Sequence, residues 1–383
     1  MPASPFPIKT EKQEKKRTTM IRKLYSIQKN VYRLFAVIAC SVGITSCDNI
    51  LDNGYGDCTP PAPIEPDVVL DEYRVKFKYD YNMKYADAFA HEVLSVNLYA
   101  FDEGGKLVWQ AKEAGAALAQ EGYTMKVELP AGNYEFLTWA GLLNEESFDV
   151  PDMTVDLSTL EELTATMNRY DAAGIDSVGI DSVGYLQPLW HGKEKVTLPK
   201  SPEARATIVN THIVEIPLVK NTNTFRIILQ QLSEEPIDVN DFEFRIDDKN
   251  GFMAHDNSIL EDTPLVYYPY HYATGSTEAG AEGDENLNVA VAELSTGRLM
   301  ANAETKLTIT NKETGEVVFS IPLIKYLSVY KTVANYDMPL QEFLDREDEY
   351  VLHFFLDERG EWLKTQVIIN DWIVRYNDIT PEF

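Results

Sequence analysis

The chain has 383 residues, 44% of them hydrophobic and 11% aromatic, which is ample for packed cores and too long for one average domain. Its formal charge of −27 comes from 61 Asp/Glu against 34 Lys/Arg. So acidic a body repels nucleic acid and anionic headgroups, and this excludes nucleic acid as a partner.

Residues 1–19, Pro-rich and then basic at Lys12, Lys15, Lys16 and Arg17, read as an extension ahead of a signal that starts at Met20. Arg22, Lys23, Lys29 and Arg33 precede an apolar run from Leu34 to Ile44, 11 residues long. A bilayer span needs roughly 20, so this run targets the chain without crossing a membrane. It ends in Ile44-Thr45-Ser46-Cys47, which resembles a bacterial lipobox. In lipoproteins of that kind the signal is cut before the cysteine, here between Ser46 and Cys47. The sulfur then carries diacylglycerol, and the new N-terminus is acylated, for instance with palmitate. Several acyl chains, each methylene contributing about 0.8 kcal/mol, anchor a protein stably where one does not.

Loss of residues 1–46, which hold nine Lys/Arg and two Asp/Glu, leaves 25 basic against 59 acidic side chains, a net of −34. Cys40 leaves with the signal and Cys47 is the lipid site. Cys58 is then left either as a free thiol or as a partner for another chain, with no intramolecular disulfide available. Residues 47–66, with Pro60, Pro61, Pro63 and Pro66, read as a tether. Extended at ~3.1 Å per residue, it reaches roughly 60 Å.

From Glu72 the pattern turns to strands. Tyr73, Val75, Phe77 and Tyr79 alternate with polar residues, and Val93 to Phe101 forms a second strand. Asp102-Glu103-Gly104-Gly105 turns into Leu107-Val108-Trp109 as a hairpin, and strands follow at Tyr123–Leu129 and Tyr134–Trp139. Ala111 to Glu121 is expected to form a helical turn. Leu157 to Tyr170 is expected as a short helix capped by Ser158 with Glu161 at its third position. The tandem copies Gly174–Val178 and Gly179–Val183 read as a duplication carried in a surface loop.

Pro199-Lys200-Ser201-Pro202 marks a boundary, giving domains 67–205 and 206–383. Strands are predicted at Ile213–Leu218, Thr224–Leu229, Asp241–Ile246, Leu287–Leu294, Lys306–Thr310, Val317–Ile321, Tyr350–Leu356 and Leu363–Val374. Asp247 to Gly251 predicts a hairpin turn into Phe252-Met253-Ala254. Short strands with Gly and Pro turns, in both halves, predict two antiparallel β-sandwiches in series, an all-β protein.

No chemistry stands out. The six histidines (91, 191, 212, 255, 271, 353) have no metal-ligand spacing, and neither a nucleophile elbow nor a phosphate loop is present. Asp247 to Gly251 lacks the alternating oxygens of a calcium loop. Glu145-Glu146 and Glu161-Glu162 are two acidic pairs among 59 acids, and His191 beside Trp190 reads as a packed residue. The expectation is a protein without catalytic residues, cofactor or metal.

Lys78-Tyr-Asp-Tyr-Asn-Met-Lys-Tyr-Ala-Asp-Ala-Phe89, Val96-Asn-Leu-Tyr-Ala-Phe-Asp102, Gln341-Glu-Phe-Leu-Asp-Arg-Glu-Asp348, His353-Phe-Phe-Leu-Asp357 and Ile368-Ile-Asn-Asp-Trp372 form a joint pattern. With the lipobox, it resembles the fimbrial anchor lipoproteins (FimB type) of the Bacteroidales, over essentially the whole mature chain. The resemblance implies two transthyretin-like β-sandwiches and a surface-exposed lipid anchor in the outer membrane. It further implies fimbrial stalk (pilin) subunits as partners at the base of a fimbrium, with a part in cell adhesion and in limiting fimbrial length. Stalk subunits of such fimbriae assemble by strand exchange. Acidic residues just after the lipidated cysteine accompany surface export in the family, and only Asp48 stands immediately there, with Asp52 further on. The alternative from another class is a surface glycan-binding lipoprotein that uses Trp109, Trp139 or Trp190 as a sugar platform.

Overall fold

Tyr73, Val75 and Phe77 of the first strand are buried while the intervening Arg74 and Lys76 stay partly in solvent, so the period of two in the sequence becomes one face against a core. The structure, a computed structural model, describes residues 70–143, 147–172, 175–178, 185–202, 209–232, 236–277, 287–357, 359–370 and 372–374. All of them belong to one compact unit, 66–383.

In chain order the elements begin with β1 (Leu70–Lys78), a one-turn helix α1 (Phe89–Glu92), β2 (Ser95–Phe101), β3 (Leu107–Ala114) and β4 (Met125–Val127). Then come β5 (Gly132–Ala140), β6 (Phe148–Asp149), β7 (Ala165–Met167), β8 (Tyr170–Ala172), β9 (Ile175–Val178) and β10 (Trp190–Leu198). Next follow β11 (Val209–Pro217), β12 (Val219–Lys220), β13 (Thr222–Gln231), β14 (Phe242–Asp248), β15 (Phe252–Met253), β16 (Leu265–Tyr267) and β17 (His271–Thr277). The remainder is β18 (Leu287–Gly297), β19 (Lys306–Asn311), β20 (Val317–Pro322), helices α2 (Leu323–Val333) and α3 (Leu340–Arg346), β21 (Glu349–Leu356), β22 (Trp362–Ile369) and β23 (Trp372–Val374).

The chain is all-β in two sandwiches, as expected. The first sets the sheet β11-β1-β4 against β12-β10-β5-β2-β3. The second sets β17-β18-β13-β21-β22-β23 against β20-β19-β14-β16-β9-β8, and a small sheet β15-β7-β6 lies beside them. Most neighbours are antiparallel; β1 with β11, β13 with β21, and β16 with β9 run parallel.

The centre of the five-stranded sheet, β2 and the end of β5, is buried on both faces. Val96, Leu98, Ala100 and Phe136 face the first core. Tyr99, Phe101, Leu137 and Trp139, on the other face, join the second core through Phe148, Leu160, Leu163, Leu186 and Leu189. The last five residues of β5 are therefore all buried, with no alternation left in them. Gly141 ends β5 at φ +98, and a Cβ there would collide with the Pro188 carbonyl.

Several expectations need correction. Ala111 to Ala114 is strand, not helix. The helix expected over 157–170 is a 3-10 turn, Leu160–Glu162, whose cap is Thr159 paired with Glu162, and β7 follows because Ala165 and Met167 bury on alternate positions. The first copy of the duplication, Ile175–Val178, is a strand between β16 and β8, and the second lies outside the described residues. β15 pairs with β7 rather than turning back on β14. The strand expected over 363–374 is two, broken at Asn370, φ +44. Sheet membership does not divide at 205/206: β11 lies beside β1 in the first sandwich, and β8 and β9 belong to a sheet of the second.

Candidate functional site

Two of the stretches that carry the family pattern, Lys78–Phe89 and Gln341–Asp348, meet at the junction between the sandwiches. The loop after β1 is shaped by its own side chains. Asp87 Oδ1 accepts from the amides of Tyr79 (3.0 Å) and Phe89 (3.1 Å). The Asn82 amide donates to the carbonyls of Tyr79 (2.9 Å) and Ala86 (2.8 Å). Asx side chains satisfying nearby backbone groups in this way fix a loop that has no ladder of its own. Tyr85, at φ +51, completes the turn.

The loop so fixed grips α3. The Arg346 guanidinium lies 4.0 Å from the ring centre of Tyr81 and 4.7 Å from that of Tyr85, and its Nε donates to Glu342 at 2.8 Å. The Met83 amide donates to the Arg346 carbonyl at 3.1 Å. A planar guanidinium between two π faces gains both stacking and charge–quadrupole attraction, which a lysine ammonium does not reproduce.

A second contact is ionic. Lys220, at the end of β12, pairs with Asp348 and reaches Glu92 at 3.4 Å, with the Trp190 ring 5.6 Å from its Nζ. Burial pulls the Lys220 pKa down, but Asp348 and then Glu92 outweigh it and the net shift is upward, so the ammonium persists. Behind it, Asn221 and Asn257 exchange side-chain hydrogen bonds of 2.6 and 3.1 Å while buried. Asp345, 7% exposed, holds Arg298 through two bonds of 2.8 Å. This bidentate geometry is the strong form of an ion pair.

Glu347 stands out in this network. Its carboxyl is pushed up to about 7, first by burial and then by the neighbouring carboxylates of Asp348 and Glu349, against the amides of Glu349 and Asp348 that favour the anion. Among the described residues no cation pairs with it.

Lipidation at Cys47, cleavage after Ser46, and Cys58 lie outside the described residues, as does Glu145-Glu146. His191 is buried, edge-on to Trp139 at 4.8 Å and bonded through Nε2 to the His255 carbonyl at 3.0 Å; burial lowers its pKa to about 4. Trp139 and Trp190 are core residues and offer no sugar platform, and Trp109 is partly buried against the first core. Glu162 closes a capping box with Thr159. Asp247 pairs with Arg245, and Asp248 accepts from Thr305 at 2.7 Å. Among the described residues no group of His, Cys, Asp or Glu is arranged to hold a metal, and no helix is long and apolar enough to cross a membrane.

Ser201, His212 and Asp71 do cluster, without the geometry of a nucleophile. The Ser201 hydroxyl and His212 Nε2 both bond Asp71 Oδ1, at 2.6 and 2.9 Å, so the acid binds the serine directly instead of orienting the imidazole from behind. The Ser201 hydroxyl and amide hold the Asp71 carboxyl down to about 2, with His212 adding to them. The sequence shows Tyr81, Tyr85, Arg346 and Glu347 only as members of the family pattern, without a role, and gives no sign of Lys220 or Asn221 as site residues. The aromatic spacing around Asn82 was the available signal.

Residues 58–378 match the family model of the fimbrillin-A associated anchor proteins Mfa1 and Mfa2. The chain belongs to this family. It is similar to the minor fimbrium anchoring subunit Mfa2 of Porphyromonas gingivalis, 22% identical over 365 residues, covering 94% of this chain and 98% of that one. A candidate adhesin of Bacteroides thetaiotaomicron is 35% identical in its solved structure, covering 83% of this chain and all of that one, with a TM-score of 0.67. A candidate polysaccharide-binding protein of the same organism is 34% identical over 79% of this chain and 97% of that one, with a TM-score of 0.66. The family is one of structural anchors and not of enzymes, and its members serve in fimbriae at the cell envelope.

Proposed function

We propose that the protein is held in the outer membrane by lipid on Cys47, exposed at the cell surface, and anchors a fimbrium by binding its pilin subunits. One observation carries the reading: the anchor-family match spans residues 58–378, and the lipobox cysteine stands just ahead of it. Support for adhesion and control of fimbrial length follow as consequences of holding the base.

The test is Cys47→Ala. Loss of the acyl chains removes most membrane affinity and touches none of the packed residues described above. The variant is expected to leave the cells with pilin subunits in the medium. Variant and pilin both retained on cells at wild-type levels would overturn the reading. A second reading, glycan binding, is favoured by the 34% identical candidate polysaccharide-binding relative. On that reading only this protein is shed and the fimbriae stay on the cells.

A further inference from the structure

A sandwich strand is expected to put apolar residues inward and polar ones outward. The sheet β20-β19-β14-β16-β9-β8 follows this rule in its first three strands: Glu243, Arg245, Asp247, Lys306, Thr308 and Ser320 alternate with the core residues Phe244, Ile246, Leu307 and Ile321. Its opposite sheet does not.

One line of register partners crosses all six strands of β17-β18-β13-β21-β22-β23. It runs Ala273, Val291, Ile228, His353, Ile368, Ile373. These positions alternate with the buried Ala292, Ile227, Leu352 and Ile369, so they share the outward face. Val289 and Phe355 flank the line on one side and Val351 on the other. None of Ile228, Val289, Val291, Val351 or Phe355 belongs to either core, and Ile373 is 53% exposed. Near the centre the charge is neutralised by the Arg226–Glu293 pair at 2.6 Å. His353 stacks on Phe355 at 4.6 Å, and its Nε2 is buried beneath the face without a hydrogen-bond partner among the described residues.

We propose that this face is where a fimbrial subunit docks, through an uncharged β-sheet surface of its own. The inference rests on the anchor reading above and adds the surface that serves it. Strand spacing gives a width of about 24 Å and a patch of roughly 500 Å². That is as large as the biggest apolar patches of monomers, which are often functional. It is below the ~800 Å² per partner of a standard stable interface, and two copies of a chain with a net charge of −27 repel, so a second copy is disfavoured as the occupant. A fimbrial subunit held by further contacts in its own assembly suits a face of this size.

The experiment solubilises the full-length protein in mild detergent from cells bearing its fimbriae, then quantifies co-purified fimbrial subunits by mass spectrometry. Ile228→Lys with Val291→Lys is expected to lower their recovery tenfold or more. Thr308→Lys with Ser320→Lys, on the opposite sheet, is expected to leave it within twofold of wild type. If the double lysine variant fails to show the wild-type circular dichroism and melting curve, Ile228→Thr with Val351→Thr replaces it, with at least a threefold loss expected. Wild-type recovery in a folded face variant overturns the docking surface and leaves the anchor reading standing. No subunit recovered with the wild type overturns both. A detergent-solubilised wild type that runs as a dimer, and a face variant that runs as a monomer with full subunit recovery, assigns the face to self-association instead.

Discussion

Glu347→Gln is expected to make the protein more stable, with a gain that grows between pH 4.5 and 7 and is constant above. The Glu347 carboxyl titrates at about 7 in the folded protein, against 4.5 in an ordinary setting. The folded state therefore binds this proton more readily than the unfolded chain does. Below pH 4.5 both states are protonated and the residue costs nothing. From 4.5 to 7 the unfolded chain ionises first and stability falls; above 7 the loss is constant. At 1.36 kcal/mol per pKa unit the ceiling is about 3 kcal/mol, and residual solvent contact brings the expectation to about 1–2 kcal/mol. Glutamine keeps the shape and removes the charge. Urea unfolding of wild type and variant, followed by tryptophan fluorescence at pH 5, 6, 7 and 8, should give curves that lie close together at pH 5, separate through pH 6 and 7, and stay about equally far apart at pH 8. His191, whose buried ring resists protonation, contributes the opposite slope between about 4 and 6.5. That slope is common to both proteins and cancels in the difference. A gap that is the same at every pH, or a wild type that is the more stable at pH 8, would refute the account of Glu347.

Arg346→Ala should cost about 1–3 kcal/mol in the same assay, because it empties the space between Tyr81 and Tyr85, and Arg346→Lys should recover less than half of that loss. Equal stability of Arg346→Lys and wild type would show that charge alone suffices there. Gly141→Ala meets both a left-handed backbone and the Pro188 carbonyl, and a loss of about 2 kcal/mol or more is expected from thermal melting. A melting point within one or two degrees of wild type would mean that the β5–Pro188 contact yields easily.

Strands with one wet face were legible in the sequence, since the alternation at Tyr73–Phe77 survives into the structure unchanged. The run Phe136-Leu137-Thr138-Trp139-Ala140 showed a strand but not its setting. Burial of both faces erases the period that would have told which core each side chain serves. α2 buries Leu323, Ile324, Leu327 and Tyr330, a helical spacing that is present in the sequence but embedded among strand signals that hide it. The junction was visible as a pattern without a role. Arg346 and Tyr81 are 265 positions apart, and no local rule brings such residues together. Glu347 carries no signal at all, because an acid in an acidic segment announces neither burial nor the absence of a cation.

The parallel pairing of β1 with β11 has a mechanical meaning. The chain enters β1 at Leu70 and leaves β11 at Pro217 toward the second sandwich, and these two points lie at opposite ends of the paired strands. Tension between the N-terminal side and the second sandwich therefore slides one strand along the other. All nine register pairs, Leu70 with Val209 through Lys78 with Pro217, resist that sliding at once. An antiparallel partner leaving from the same end would open one pair at a time, like a zip. Stretched from its first strand, this sandwich meets the pull in shear, the direction in which a β-ladder yields last.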